Sequence, residues 1–184
     1  MNDDAAVRPN GAFSIDFWAK QDGTAPSVIP RLLVKGNSAT ANGHMTWHGG
    51  DGSLDFKRNN TDAVYSTGSL TSAYRHFVVT YNGTAVSWYV DSALSTTTPR
   101  TFPSDVGTDV LKLGRGDERG LHTLDEVTQY DRALSSSQIS SHCAAGTAAA
   151  APSATPAPTP TGTGSPSSAS DPTIAAAGDI AFGW

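Results

Sequence analysis

The chain has one cysteine, Cys143, so it cannot form an intrachain disulfide or a metal cage built from several thiolates. Basic residues are scarce as well, because 12 Lys and Arg face 17 Asp and Glu and leave a formal net charge of -5. This balance provides no field to gather phosphate backbones, which argues against sequence-independent nucleic-acid binding. The longest apolar run, around residues 148–151, is far shorter than the roughly 20 residues of a membrane span. We also expect no signal peptide in this chain, since no basic stretch followed by an apolar one opens it.

Large side chains are missing from residues 147–170, which contain only Ala, Pro, Ser, Thr and Gly. Such a segment has nothing to bury that would offset the entropy of ordering, so we predict a disordered linker, semi-stiff where proline is dense. Residues 1–146 then form one domain, and residues 171–184 begin a second, truncated one. Linkers of this composition commonly join the modules of secreted proteins, which favours an extracellular location.

Short alternating runs of apolar and polar residues, separated by turn residues, precede the linker and predict β-strands. The clearest is YRHFVVTYNGTAVSWYVD, residues 74–91, where Asn82-Gly83 supplies the positive backbone angles of a two-residue hairpin turn. The one helix signal is SSSQISSHC, residues 135–143, in which Ser135 and Gln138 have the spacing of a capping box. We therefore predict an all-β, antiparallel sandwich with one short C-terminal helical turn.

The order of these segments resembles a LamG-like jelly roll of the concanavalin A-like lectin/glucanase superfamily. The resemblance covers about residues 4–146 and rests on FSIDFWAK, RLLVKGN, YRHFVVTYNGTAVSWYVDS, VLKLGRG and GLHTLDEVTQYDRALSSSQISSHCAAG. It implies a jelly-roll β-sandwich. Two departures stand out: a strand that usually precedes the first segment is absent, and Asp91-Ser92 replaces the usual Asp-Gly. We expect the first departure to leave a sheet edge incomplete.

The tail DPTIAAAGDIAFGW, residues 171–184, resembles the first strand of a calcineurin-like metallophosphoesterase. The resemblance implies that Asp179 is a metal ligand if that domain is complete. The alternative is that Asp179 merely ends an apolar run. One carboxylate cannot hold a metal pair, so we expect no phosphatase activity from this chain, although the parent protein would be a metal-dependent phosphoesterase.

Two adjacent carboxylates, Asp125 and Glu126, lie in LDEVTQYDRALSSSQ, residues 124–138. Glucanases that share the superfamily fold place their acids two residues apart, on one face of a strand, whereas neighbours on a regular strand face apart unless a bulge intervenes. We therefore predict no catalytic residue in this chain. One of the two acids should instead face inward and need a partner, and we predict a structural ion pair with Arg132.

The sequence contains no clear metal-binding motif. His44 and His48 are roughly 13 Å apart along a strand, too far to share a zinc ion, and His76, His122 and His142 are scattered. Some relatives hold calcium in rim loops, so the resemblance implies four loop aspartates as calcium candidates; ordinary turn residues are the alternative. These are Asp51, Asp62, Asp105 and Asp117.

Glycan binding requires exposed aromatic rings with polar neighbours. Trp47 and Trp88 share faces with apolar residues and are predicted to be core, which leaves Tyr65 and Tyr74 as candidate platforms. The leading hypothesis is a non-catalytic module of a secreted multidomain protein that binds glycan or another extracellular surface. The alternatives are an accessory fragment of a metallophosphoesterase and a structural spacer without a ligand. The ligand and the oligomeric state do not follow from the sequence.

Overall fold

A computed structural model describes residues 11–23, 31–35, 44–48, 53–58, 64–102, 110–113, 122–149, 174–175 and 180–182; for 44–48, Ala149 and the last two ranges only the backbone is considered. The strands are β1 (Phe13–Gln21), β2 (Arg31–Lys35), β3 (His44–His48), β4 (Ser53–Arg58), β5 (Val64–Ser69), β6 (Arg75–Tyr81), β7 (Ala85–Val90), β8 (Ala93–Pro99), β9 (Leu111–Leu113), β10 (His122–Tyr130), β11 (Ile174–Ala175) and β12 (Ile180–Phe182). One helix, α1 (Ser136–Ala149), follows β10.

The strands form two antiparallel sheets that face each other. Sheet A has the order β11-β10-β1-β6-β7-β8, with β12 also paired to β10, and sheet B has the order β5-β4-β3-β2-β9. Alternate residues of β1 and β4 meet between the sheets, where the rings of Phe13 and Phe56 lie 5.6 Å apart. This arrangement confirms the predicted all-β jelly-roll sandwich.

Helix α1 covers the outer face of sheet A. Ile139 of the helix and Leu134 before it are buried in a second apolar cluster with Val78 and Tyr130 of the sheet. This is why β1 and β6 are buried on both faces, although their sequences alternate. The outer face of sheet A is therefore an interface within the domain.

The helix is longer than the single turn that the sequence predicts. It has 14 residues and continues through Ala149, so it includes the first three residues of the predicted linker. Alanine is the strongest helix former, so this Ala-rich stretch extends a helix that packing against the sheet already anchors. The predicted capping box at its start is confirmed, because Gln138 Oε1 accepts the Ser135 N–H at 3.0 Å and Ser135 Oγ accepts the Gln138 N–H at 3.3 Å.

Candidate functional site

A β-bulge in β10 lies at the two adjacent acids, Asp125 and Glu126. The pairing with β1 shifts between Asp16 and Trp18, and Glu126 has a φ of 49°. Leu124 and Val127 both lie in the core on either side of the acids. The extra residue lets both carboxylates stay out of the core, since Asp125 is half-buried and Glu126 is exposed. The expectation that one of them faces inward is therefore wrong.

The structure shows a local role for Asp125. Its Oδ1 accepts the backbone N–H of Glu126 at 2.8 Å, which stabilises the left-handed residue of the bulge. The guanidinium of Arg132 stacks 5.5 Å from the ring centroid of Tyr130, and its Nη1 lies 3.9 Å from Asp131 Oδ1. The ion pair of Arg132 with Asp125 or Glu126 stays a prediction.

The calcium candidates Asp51, Asp62, Asp105 and Asp117 lie outside the described residues, as does Asp179. The same applies to the side chains of His44 and His48. Among the residues whose side chains are described, no group of three or more His, Cys, Asp or Glu is arranged to hold a metal ion. The calcium sites stay predictions.

The two candidate tyrosines belong to different sheets. Tyr65 lies on β5, the edge strand of sheet B, and is 57% exposed. Tyr74 immediately precedes β6 of sheet A, is 37% exposed, and has the Nζ of Lys20 5.2 Å above its ring. Tyr65 therefore presents the more accessible ring.

Tyr65 stands on the outer face of sheet B. Its strand neighbours Val64 and Ser66 are buried, as are Leu54 and Phe56 of β4. The opposite register positions of β4 are Ser53, Asp55 and Lys57, which are half-buried.

A cross-strand row begins at Tyr65. The Cα of Tyr65 pairs with that of Asp55, and Asp55 pairs in turn with Trp47 of β3. Directly opposed residues of an antiparallel pair share a face, so the row continues from β5 across β4 to β3, while the predicted core position of the Trp47 side chain stays a prediction. This outer face of β3, β4 and β5 is called the Tyr65 face below.

A buried polar network links sheet A to α1. The carboxylate of Asp16, only 6% exposed, lies 2.6 Å from His76 Nε2 through Oδ1 and 2.7 Å from His142 Nδ1 through Oδ2. The rings of Trp18 and Tyr130 pack on these two imidazoles, with centroid separations of 5.0 and 5.7 Å.

Sequence reasoning missed this network because Asp16 and His142 are 126 residues apart. The signal that was available is the second face of β1, where Ser14, Asp16 and Trp18 alternate with the core residues. A polar face covered by a helix must be satisfied by hydrogen bonds, and Ser14 Oγ likewise donates to Arg132 O and accepts the Leu134 N–H, both at 2.9 Å. His76 and His142 thus have a structural role in this network.

Two other ionisable groups are perturbed. A hydrogen bond from Thr123 lowers the pKa of Asp22, and Lys20 Nζ, 3.1 Å from Asp22 Oδ1, adds to this effect against a partial desolvation. Burial raises the pKa of the Cys143 thiol, and the nearby Asp91 and Asp16 carboxylates raise it further. Because the thiolate is the reactive form, this shift makes Cys143 less reactive than a free cysteine.

Within the part of the chain that the structure describes, no helix combines the length and apolar character needed to cross a membrane.

Comparison with solved structures shows the same fold in two toxin-related binding domains and in a pentraxin. The botulinum neurotoxin serotype D binding domain superimposes with a TM-score of 0.62 at 11% identity, over 76% of this chain and 37% of that one. The binding domain of Paraclostridial Mosquitocidal Protein 1 gives 0.60 at 16% identity, over 77% and 39%. The native heptameric SAP-like pentraxin of Limulus polyphemus gives 0.55 at 12% identity, over 74% and 71%.

This chain therefore spans little more than a third of the neurotoxin binding domains that it resembles. A comparison with curated proteins gives no match. The family model of Laminin_G_3, described as part of the concanavalin A-like lectin/glucanases superfamily, matches residues 2–140. The chain therefore belongs to the Laminin_G_3 family.

Proposed function

We propose that this domain is a non-catalytic glycan-binding module of a secreted multidomain protein, and that sugars contact it at the Tyr65 face. The observation that carries this proposal is the exposure of the Tyr65 ring, at 57%, on a sheet face that points away from the core. Aromatic rings with a polar rim suit sugars, because the apolar face of a pyranose ring packs on the aromatic ring while its hydroxyls reach polar groups.

The surroundings of Tyr65 supply such a rim. Asp55 lies directly across from it and Lys57 occupies the next position of β4 on the same face. Next along β5, Thr67 is joined to Ser95 of β8 by a hydroxyl contact of 2.7 Å and by a 2.7 Å bond from the Thr67 N–H to Ser95 Oγ. These bonds tie the two sheets together at their edges, so the platform stands on a strand that is bonded to both sheets rather than on a loop.

The fold comparisons support binding as the function class. Several of the neighbours are described as receptor-binding or binding domains, and botulinum neurotoxin type C is described as entering cells in a way that depends on interaction with two ganglioside molecules. The carry-over to this chain is a proposal, because identities of 8 to 16% show the fold alone.

Three finer points belong to the same proposal. The Ala/Pro/Ser/Thr/Gly composition of residues 147–170 supports an extracellular multidomain protein. Calcium in the loops of Asp51, Asp62, Asp105 and Asp117, and a metallophosphoesterase-like domain beginning at residue 171, both stay predictions.

A glycan array with the full chain tests the proposal. Wild type is applied in calcium and in EDTA, beside Tyr65→Ala and the ring-retaining control Tyr65→Phe. We expect wild type and Tyr65→Phe to bind a shared set of glycans and Tyr65→Ala to lose most of that signal. If no glycan binds in either buffer, the hypothesis of a structural spacer without a ligand would explain the domain better.

A further inference from the structure

The two edges of β10 have different partners. One edge pairs with β1 over most of its length, which builds the sandwich. The other edge pairs with two short segments from beyond the linker, β11 and β12. These segments come from the tail, residues 171–184, which the sequence assigns to a different domain.

The pairings of β11 and β12 are those of one interrupted strand. Both are antiparallel, with Gln129 opposite Ile174 at one end and His122 opposite Phe182 at the other. In the sequence, the two paired stretches are separated by three residues of β10 (125–127) and by four residues of the tail (176–179). The register therefore changes by one residue opposite the bulge. The two short ladders therefore lie along the same edge of β10, one on each side of the bulge.

We propose that the outer edge of β10 is a strand-docking site for an extended apolar segment, and that the tail segments 174–175 and 180–182 of this chain are its resident and exchangeable ligand. An open edge strand presents unpaired N–H and C=O groups, and an added strand satisfies them. The tail meets this need with the β-formers Ile174, Ile180 and Phe182 and with small alanines. This proposal is independent of glycan binding.

Exchange follows from the small size of the contact. The paired stretches comprise only two and three residues, so their own affinity is weak. The tether compensates for this weakness, because a coil of the length of residues 150–173 spans about 25 to 30 Å and gives an effective concentration on the order of millimolar. A strand that pairs with β10 is unavailable to any other sheet, so docking sequesters the tail until a competing strand releases it.

Hydrogen exchange on the full chain tests the docking. The variant Ile180→Pro/Ala181→Pro removes two backbone N–H donors from the tail and disfavours its pairing with β10. The control Ala177→Pro changes a residue that lies between the paired stretches in the sequence. We expect amides on the outer edge of β10 to exchange at least tenfold faster in the double variant than in the control. Amides of β10 that bond to β1 should be unchanged, which also shows that the domain is folded.

A labelled peptide of residues 172–184 tests the exchange. It should bind the double-proline variant at least tenfold more tightly than wild type, in which the tethered tail competes. Unchanged exchange rates in the double variant, or equal peptide binding to the two proteins, would overturn the proposal. Protection that disappears on dilution, together with dimers in sedimentation, would show docking onto a second copy and would overturn the intramolecular assignment.

Discussion

The carboxylate of Asp16 lies 2.7 Å from Nδ1 of His142, which joins the first described strand to the helix near the end of the domain. Its other oxygen lies 2.6 Å from Nε2 of His76 on β6. One buried acid thus fastens three elements that the chain order keeps far apart. This fastening holds α1 against the outer face of sheet A at β1 and β6, whereas the Tyr65 face of sheet B carries an exposed aromatic residue.

Removing this carboxylate should destabilise the domain. Asp16→Ala leaves the buried imidazole of His76 and the half-buried imidazole of His142 without this partner, so we expect a loss of about 2 to 4 kcal/mol in the free energy of unfolding. The matched control is Asp131→Ala, which removes the same charge from a side chain that is 81% exposed and should cost less than about 0.5 kcal/mol. Urea unfolding measures both values.

Alkylation of Cys143 reports on the same interface. Burial and the neighbouring carboxylates raise the pKa of this thiol, so wild type should react with iodoacetamide at pH 7.5 more slowly than free cysteine does. Asp16→Ala should speed the reaction, because it removes one of these charges and loosens the helix. Equal unfolding free energies and equal alkylation rates for Asp16→Ala and Asp131→Ala would contradict the fastening role.

Gly146 allows close contact between α1 and Trp18. A Cβ at this position would lie 2.6 Å from Trp18 Nε1 and closer still to two ring carbons. Although Ala is about 1 kcal/mol better than Gly in a helix, we expect Gly146→Ala to destabilise the protein by about 1 to 2 kcal/mol through overpacking. In a Trp18→Phe background, where the indole edge formed by Nε1, Cε2 and Cζ2 is gone, the same change should be neutral or stabilising. Additive effects in this double-mutant cycle would refute the steric explanation.

Ser92 occupies a position that suits glycine. Asp91 and Ser92 form the turn between β7 and β8 with φ values of 48° and 66°, both in the left-handed region. Because a non-glycine residue there is strained, Ser92→Gly should stabilise the protein by roughly 0.5 to 1 kcal/mol and raise its Tm by a few degrees. Gly83→Ala is the converse control: Gly83 has a φ of 98° and open space around it, so strain alone should lower the Tm. Calorimetry that finds Ser92→Gly less stable would contradict this account.

The lowered pKa of Asp22 should appear in the acid stability of the domain. Since the folded pKa lies below the unfolded value of about 3.9, the contribution of Asp22 is present above that pH and is lost as pH falls through the folded pKa. Thr123→Val removes the main hydrogen bond and should raise the Asp22 pKa and reduce the loss of stability below about pH 4. NMR titration of the Asp22 carboxyl in both proteins checks this, and identical titration curves would show that Thr123 is not the cause.

The sequence predicts the features that depend on local patterns. Alternation identifies the strands of the central hairpin, and the spacing of Ser135 and Gln138 correctly marks the start of the helix. The acid pair shows the limit of this reasoning, since a strict period of two predicts that one acid faces inward. One inserted residue at Glu126 changes which face each acid occupies. The positive φ of Glu126 could not be predicted, because such angles are expected for glycine rather than for glutamate.

Contacts between residues that are far apart in the sequence cannot be predicted from such local patterns. Nothing near Asp16 in the sequence points to His76 or His142, because the sheet register and the docking of α1 bring them together. The tail strands are a similar case: their composition indicates a strand, but only the register with β10 identifies the partner. The Tyr65 platform could be selected from the sequence, whereas its neighbours Asp55 and Lys57 follow from the pairing of β4 and β5.

The central claim, that Tyr65 is the sugar platform, is tested most directly by the affinity of the best glycan from the array. Titration calorimetry with wild type, Tyr65→Phe, Tyr65→Ala and Tyr74→Ala should give similar Kd values for wild type and Tyr65→Phe. Losing the stacked ring should weaken Tyr65→Ala roughly tenfold or more, which corresponds to about 1.4 kcal/mol or more. A Kd for Tyr65→Ala equal to that of wild type, with the loss appearing in Tyr74→Ala or in neither, would contradict the assignment of the Tyr65 face.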